Sequence, residues 1–236
     1  MIENPYILLI VFPLIAYVVG ATPFGPILAR FHGVNLRLHG SGNVGATNVG
    51  RTLGRKWGML CFGLDVMKGF APVLLVRLIG PSVADGSAPT LVSQCAWLTV
   101  GFGAILGHVM SFWLGFRGGK GVAASLGVVL GVFPYFTLAG AAAFGVWIAV
   151  VLATRYVSLA STIAAAAFVL LFAAINWLAF GLTPRDLWPL GSFAAAMSLL
   201  IVYLHRGNIR RLLAGTESKV NIRGSKEKAA DGGGEK

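Results

Sequence analysis

Long apolar runs separated by short polar islands fill most of this chain. The first extends from Ile7 to Leu28, and others run Trp57 to Gly80, Leu91 to Leu114, Val122 to Phe133, Tyr135 to Leu152, Ser158 to Phe180 and Leu187 to Leu204. A soluble helical bundle would need a polar face on each helix, and these runs have almost none. About 20 apolar residues cross the hydrocarbon core of a bilayer, so the pattern predicts an all-α polytopic membrane protein of about seven transmembrane helices. The run ending before Pro134 is short. A helix of that length must be shielded by its neighbours or by a water-filled cavity. The run from Ile7 does not read as a cleavable leader: Glu3 precedes it with no base, it is too long, and no clean small-residue cleavage site follows.

Composition agrees with the pattern. Of 236 residues, 56% are hydrophobic and 11% are charged, about half the charge of an ordinary soluble domain. The cations are unevenly placed. Sixteen of the 19 lysines and arginines fall in the 30–56 loop, the 115–121 turn, Arg155 and the tail beyond Leu204. Cytoplasmic loops collect such residues, so the expected orientation puts the N-terminus outside, the C-terminus in the cytoplasm and an odd number of crossings between them. The net charge of +11 then serves orientation and contact with the anionic bilayer surface. Nucleic acid is a poor partner, because the bases are spread over membrane loops and not along one soluble face.

Residues 1–220 read as a single transmembrane domain. Residues 221–236 are charged and glycine-rich with almost no apolar positions, and read as a disordered cytoplasmic tail. Cys61 and Cys95 lie within apolar runs without metal-ligand spacing and read as free buried thiols. No metal site and no obligate protein partner is evident.

Four polar islands carry the candidate chemistry. "HGSGNVGATNVGR", from His39 to Arg51, contains Gly40, Ser41, Gly42, Asn43, Thr47 and Asn48. It matches GxGxxG formally, but a membrane helix precedes it where a dinucleotide site needs a strand. The physics of such loops survives. Glycines let backbone N–H groups turn towards an anion, and Arg51 adds a planar fork suited to phosphate. The plain alternative is a solvated loop. "RGGKG", from Arg117 to Gly121, fails as a P-loop because Gly121 follows Lys120. Gly118 and Gly119 ahead of Lys120 at a helix start still form an anion site, unless the turn serves orientation alone. Asp65 and Lys68 share a helix face at i and i+3, as a salt bridge or as site residues. "HRGNIRRLLAGTE" repeats that spacing with His205 and Asn208 and ends on Glu217. His108 is ambiguous between interface and site.

These motifs, with "GLDVMKG" and "GH…FRGGKGVA", are similar to those of the bacterial acyl-phosphate:glycerol-3-phosphate acyltransferase family, over Ile7 to Val220. The resemblance implies an enzyme of the bacterial inner membrane with seven helices and a cytoplasmic-facing site. It would move a fatty acyl group from acyl phosphate to the sn-1 hydroxyl of glycerol 3-phosphate, giving lysophosphatidic acid and phosphate, without a cofactor. The family's catalytic positions would fall on Ser41, Arg51, Lys120, His205 and Asn208. Its phosphate-binding positions would fall on Gly40, Gly42, Asn43, Thr47, Asn48, Lys68, Gly118, Gly119, Gly121 and Glu217. The chain departs from the pattern at Gly207, where glutamate is common, at Met110-Ser111 in place of Phe-Pro, and at Ala124 in place of threonine.

No GxSxG elbow, HxxxxD pair or zinc helix occurs in the sequence. What remains is positioning by cations, amides and N–H groups, which suits a substrate that arrives already activated. A transporter of an organic phosphate is the rival reading. It would place its site near the midplane, whereas these polar residues gather at one membrane face.

Overall fold

The computed structural model describes residues 4–80 and 88–220. The expected disordered tail lies outside these residues. All regular structure among them is helical, and every apolar run forms helix. The helices are α1 (Phe12–Ala21), α2 (Phe24–Phe31), α3 (Ala46–Leu53), α4 (Arg55–Ile79), α5 (Leu91–Val109), α6 (Val122–Gly131), α7 (Thr137–Thr154), α8 (Val157–Phe180), α9 (Trp188–Leu204) and α10 (Arg206–Leu213). By length and hydropathy five spans qualify as membrane-crossing: Ile7–Phe31, Arg55–Ile79, Leu91–Leu114, Thr137–Thr154 and Val157–Phe180. A sixth follows if α9 and α10, bent by 54°, count as one broken span. The short α6 has 10 residues, so it ends before the expected Phe133.

The structure differs from the run pattern where proline and small polar helices intervene. The first run is not continuous. It begins with a wide π-type turn over Ile7–Val11 and breaks between Ala21 and Phe24. Pro23 supplies no backbone donor there and disfavours helix at Thr22. The third run stops as α-helix at Val109, and a short 3-10 turn over Phe112–Leu114 follows. Helix α7 starts at Thr137, after Pro134, not at Tyr135. Helix α3 has no counterpart in the run pattern, and α10, where the i and i+3 spacing predicts a continuation of the last helix, is a separate helix bent by 54° from α9. Each is eight residues long and sits inside a polar island, where a search for membrane-length apolar runs cannot see it.

Two tight seams set the architecture. Helices α1 and α5 pack so closely that a methyl group at Gly107 would lie 2.2 Å from the Tyr17 carbonyl oxygen, and one at Gly103 would lie 2.3 Å from that of Pro13. Across α4 and α6, a methyl at Gly127 would meet the Val66 carbonyl oxygen at 2.0 Å, and one at Gly69 would meet that of Ala124 at 2.1 Å. Lipid provides little hydrophobic drive between helices, so close backbone approach through small residues does the packing. In the shared core Phe136 is fully buried, edge-on to Phe168 and Phe172. The α4–α6 seam fixes the start of α6, and the α1–α5 seam fixes the end of α5. Those two ends carry Lys120 and His108.

The seams make a direct prediction. Gly127→Ala is expected to destabilise the protein by about 1–3 kcal/mol, the usual cost of overpacking. Gly63→Ala, on the same bundle but with nothing within 4 Å of the added methyl, is expected to be neutral or slightly stabilising. Thermal unfolding in detergent compares the two; equal melting temperatures would contradict the seam.

Candidate anion-binding site

The polar islands meet at one end of the bundle. Arg37 donates to the Arg117 carbonyl at 2.7 Å, Arg51 to the Ser218 carbonyl at 3.0 Å, and the Val220 N–H to the Arg155 carbonyl at 2.9 Å. These contacts join the glycine loop, the lysine turn, the α7–α8 turn and the final segment. The end they form carries most of the cations.

Glu217 is the hub of this end. It is 9% exposed. It accepts from Asn208 Nδ2 at 2.6 Å, from Ser158 Oγ at 2.8 Å and from Arg211 Nε at 2.7 Å. Burial works against its charge, but those three donors and the Arg211 charge hold its pKa below the usual carboxylate range. The Lys120 ammonium donates to Asn208 Oδ1, so one amide links the lysine turn to the carboxylate. His205 is buried beside this network, its Nδ1 2.7 Å from the Ile201 carbonyl. A carbonyl can only accept, so Nδ1 carries a proton, and in the neutral ring Nε2 bears the lone pair. Helix α10 makes the arrangement possible: it begins after His205 and puts Asn208 and Arg211 on one face at i and i+3.

The glycine loop is shaped by its own asparagines. Asn48 is 1% exposed. Its Nδ2 lies 3.1, 3.0 and 2.8 Å from the carbonyl oxygens of Leu36, His39 and Asn43, and its Oδ1 accepts from the Ser41 N–H at 2.9 Å. Asn43 Oδ1 accepts from the Gly45 N–H at 2.9 Å. Both amides are therefore engaged inside the loop, and their contacts brace it. Gly40 and Gly42 take positive φ values of 59° and 69°, where a side chain would strain the turn. Ser41 and Thr47 remain exposed. Arg51 lies in the last turn of α3.

Lys68 stands apart from the Glu217 network. Its Nζ lies 2.7 Å from Asp65 Oδ1 and donates to the Thr22 carbonyl at the α1–α2 break, at 2.9 Å. Gly118 and Gly119 donate to the Val109 and His108 carbonyls at 2.9 and 3.0 Å. Gly121, at φ 81°, leads into α6. Cys61 and Cys95 are free thiols. Among the described residues no group of three or more His, Cys, Asp or Glu side chains is placed to hold a metal ion.

Comparison with known proteins decides the family. The glycerol-3-phosphate acyltransferase profile matches residues 10–215. A protein of Geobacter sulfurreducens carrying that name is 45% identical over 206 residues, which covers 87% of this chain and 94% of the relative. The chain belongs to the glycerol-3-phosphate acyltransferase family. A second member, from Aquifex aeolicus, is 42% identical over 86% of this chain and 95% of its own length. Two crystal structures of PlsY, an integral membrane glycerol 3-phosphate acyltransferase, superpose on this fold. The glycerol 3-phosphate form gives a TM-score of 0.74 at 39% identity over 89% of this chain and 94% of that one. The lysophosphatidic acid form gives 0.72 at 38% identity over the same shares.

In this acyltransferase-family protein the structure brings Arg51, Lys120, His205, Asn208 and Glu217 together. Two residues missed by sequence reasoning join them. Ser158 heads α8 and looked like the first residue of an ordinary span. Arg211 was counted as an orientation charge, although its i+3 spacing from Asn208 was a usable signal. Arg51, Lys120 and Arg211 then share a single carboxylate, a surplus of positive charge that suits an anion. The Lys120 pKa falls from 10.5 to about 8: burial lowers it most, Glu217 raises it, and Arg211 and Arg51 lower it. Lys120 is thus charged below about pH 8 and loses its proton as pH rises through that value. Anion capture by the free protein is expected to weaken above about pH 8, and a kcat/KM profile for a phosphate substrate reports free-protein groups. In Lys120→Arg the alkaline limb should move well beyond pH 10. An unmoved limb would assign it to another group.

Proposed function

We propose that this protein transfers a fatty acyl group from acyl phosphate to the sn-1 hydroxyl of glycerol 3-phosphate, giving lysophosphatidic acid and inorganic phosphate. The observation that carries the reading is the set of three cations, Arg51, Lys120 and Arg211, around Glu217 at the basic end of a membrane-embedded bundle. Both reactants carry phosphate, and the lipid tail stays in the bilayer while the headgroups meet this end. The excess of lysine and arginine there supports a cytoplasmic-facing site in a bacterial inner membrane, with the N-terminus outside.

Transfer is direct, without an acyl-enzyme. Acyl phosphate is a mixed anhydride with a good leaving group. The sn-1 hydroxyl oxygen bonds to the acyl carbon, the carbon–oxygen bond to phosphate breaks, and the hydroxyl proton passes to His205 or to a phosphate oxygen of a substrate. Arg51 and Lys120 neutralise the two phosphates. Asn208 and the exposed Ser41 hydroxyl orient them and stabilise the developing oxyanion. Glu217 holds Asn208 and Arg211 in place.

The test mixes purified full-length protein in detergent with palmitoyl phosphate and labelled glycerol 3-phosphate. Labelled lysophosphatidic acid is expected. Transfer from palmitoyl-CoA with none from palmitoyl phosphate would overturn the donor, and an acyl-protein trapped by mass spectrometry during turnover would overturn direct transfer.

A further inference from the structure

A second buried polar cluster lies outside the Glu217 network. Asp65, Lys68 and His108 are 3%, 5% and 8% exposed, on helices α4 and α5. Ionisable groups inside membrane helices are expensive and are retained for a purpose. Lys68 holds the Asp65 carboxylate at 2.7 Å and anchors to the Thr22 carbonyl. The same Asp65 oxygen lies 3.6 Å from His108 Nδ1, close enough for charge to orient the ring though too long for a good hydrogen bond.

The other side of that ring faces the lysine turn. A methyl group on Gly119 would lie 2.2 Å from His108 Nε2, so the imidazole packs directly on the bare glycine backbone. His108 also grips the turn through its main chain, where its carbonyl accepts from the Gly119 N–H at 3.0 Å. Lys120 is the next residue. Contacts run without a gap from Asp65 to His108, Gly119, Lys120, Asn208 and Glu217. His108 therefore sits directly behind the lysine turn.

We propose that Asp65 and His108 are positioning residues: the carboxylate orients the imidazole, and the imidazole fixes the Gly118–Gly119 turn so that the Lys120 ammonium meets substrate phosphate. This rests on reading Lys120 as a phosphate contact. A carboxylate that orients a histidine through Nδ1 is a known way to fix a ring and its tautomer. Here the ring acts by shape and placement. The same logic explains the need for glycine at position 119, where any side chain would displace the imidazole.

Calorimetric binding of glycerol 3-phosphate and of inorganic phosphate to the full-length protein in detergent tests the proposal, with melting temperature checked for each variant. Lys120→Ala is the reference and shows which ligand reports the lysine contact. On that ligand His108→Leu is expected to weaken binding about tenfold when Lys120 is present and to add nothing in the Lys120→Ala background, the non-additivity of residues that act through one another. His108→Asn keeps a donor towards Asp65 and should recover most of the loss. If His108→Leu does not fold, Asp65→Asn, which changes almost no volume, should weaken binding about threefold with the same dependence on Lys120. Unchanged binding in these variants, or equal losses with and without Lys120, would overturn the positioning role while the lysine contact stands. Unchanged binding in Lys120→Ala would overturn both.

Discussion

Replacing Lys120 by alanine is expected to reduce acyl transfer by tenfold to a hundredfold or more, with the protein still folded in the membrane. A charge-assisted hydrogen bond is worth about 1.5–3 kcal/mol, and every ~1.4 kcal/mol of lost transition-state stabilisation is a factor of ten. The loss falls on chemistry and not on fold. Among the described residues the side chain hydrogen-bonds to Asn208 across the end of the bundle, and Asn208 keeps its bond to Glu217. The α4–α6 seam that places the start of α6 does not involve the lysine. Initial rates with palmitoyl phosphate and glycerol 3-phosphate, beside monodispersity and melting temperature, check the expectation. Near-normal turnover at saturating substrate would remove Lys120 from the site.

Arg51 is expected to show the second large effect, with a graded series. Its guanidinium donates to the Ser218 carbonyl beside Glu217 and stands within reach of the charges on Glu217 and Arg211. In the proposed complex it turns a planar fork on one substrate phosphate. Lysine keeps the charge but loses the fork, so the exchange is not conservative there. Arg51→Lys should lower kcat/KM for glycerol 3-phosphate roughly tenfold, and Arg51→Ala should cost more. If Arg51 were an orientation signal alone, lysine would replace it fully, because both residues count alike in setting topology. Wild-type rates for Arg51→Lys across a glycerol 3-phosphate titration would favour that outcome.

Much of the candidate site is legible in the sequence because motif spacing is local. The glycine loop, the glycine–lysine turn and the His205–Asn208–Glu217 segment each announced themselves in a handful of residues. Their partners did not. Asn48 read as one more donor for a ligand, and only the folded loop shows its amide bracing three carbonyls. Lys68 read as a site cation, and its i and i+3 spacing correctly paired it with Asp65. That the pair turns towards Thr22 and His108 depends on the break between α1 and α2, a feature of packing. Ser111 donates to the Ala21 carbonyl at 2.6 Å and helps to hold the same break.

The sequence by itself determined the class of fold and the end of the bundle where the candidate site residues gather. Apolar length answers to bilayer thickness, and motif glycines answer to local backbone needs; both are readable one segment at a time. The tertiary structure decided which cations share a carboxylate, and that Arg211 and Ser158 belong with Lys120. It also decided that His108 lies behind the lysine turn. Those facts depend on close helix seams at Gly107 and Gly127, where backbone meets backbone. A glycine in a sequence shows that close approach is possible. It does not show which helix approaches.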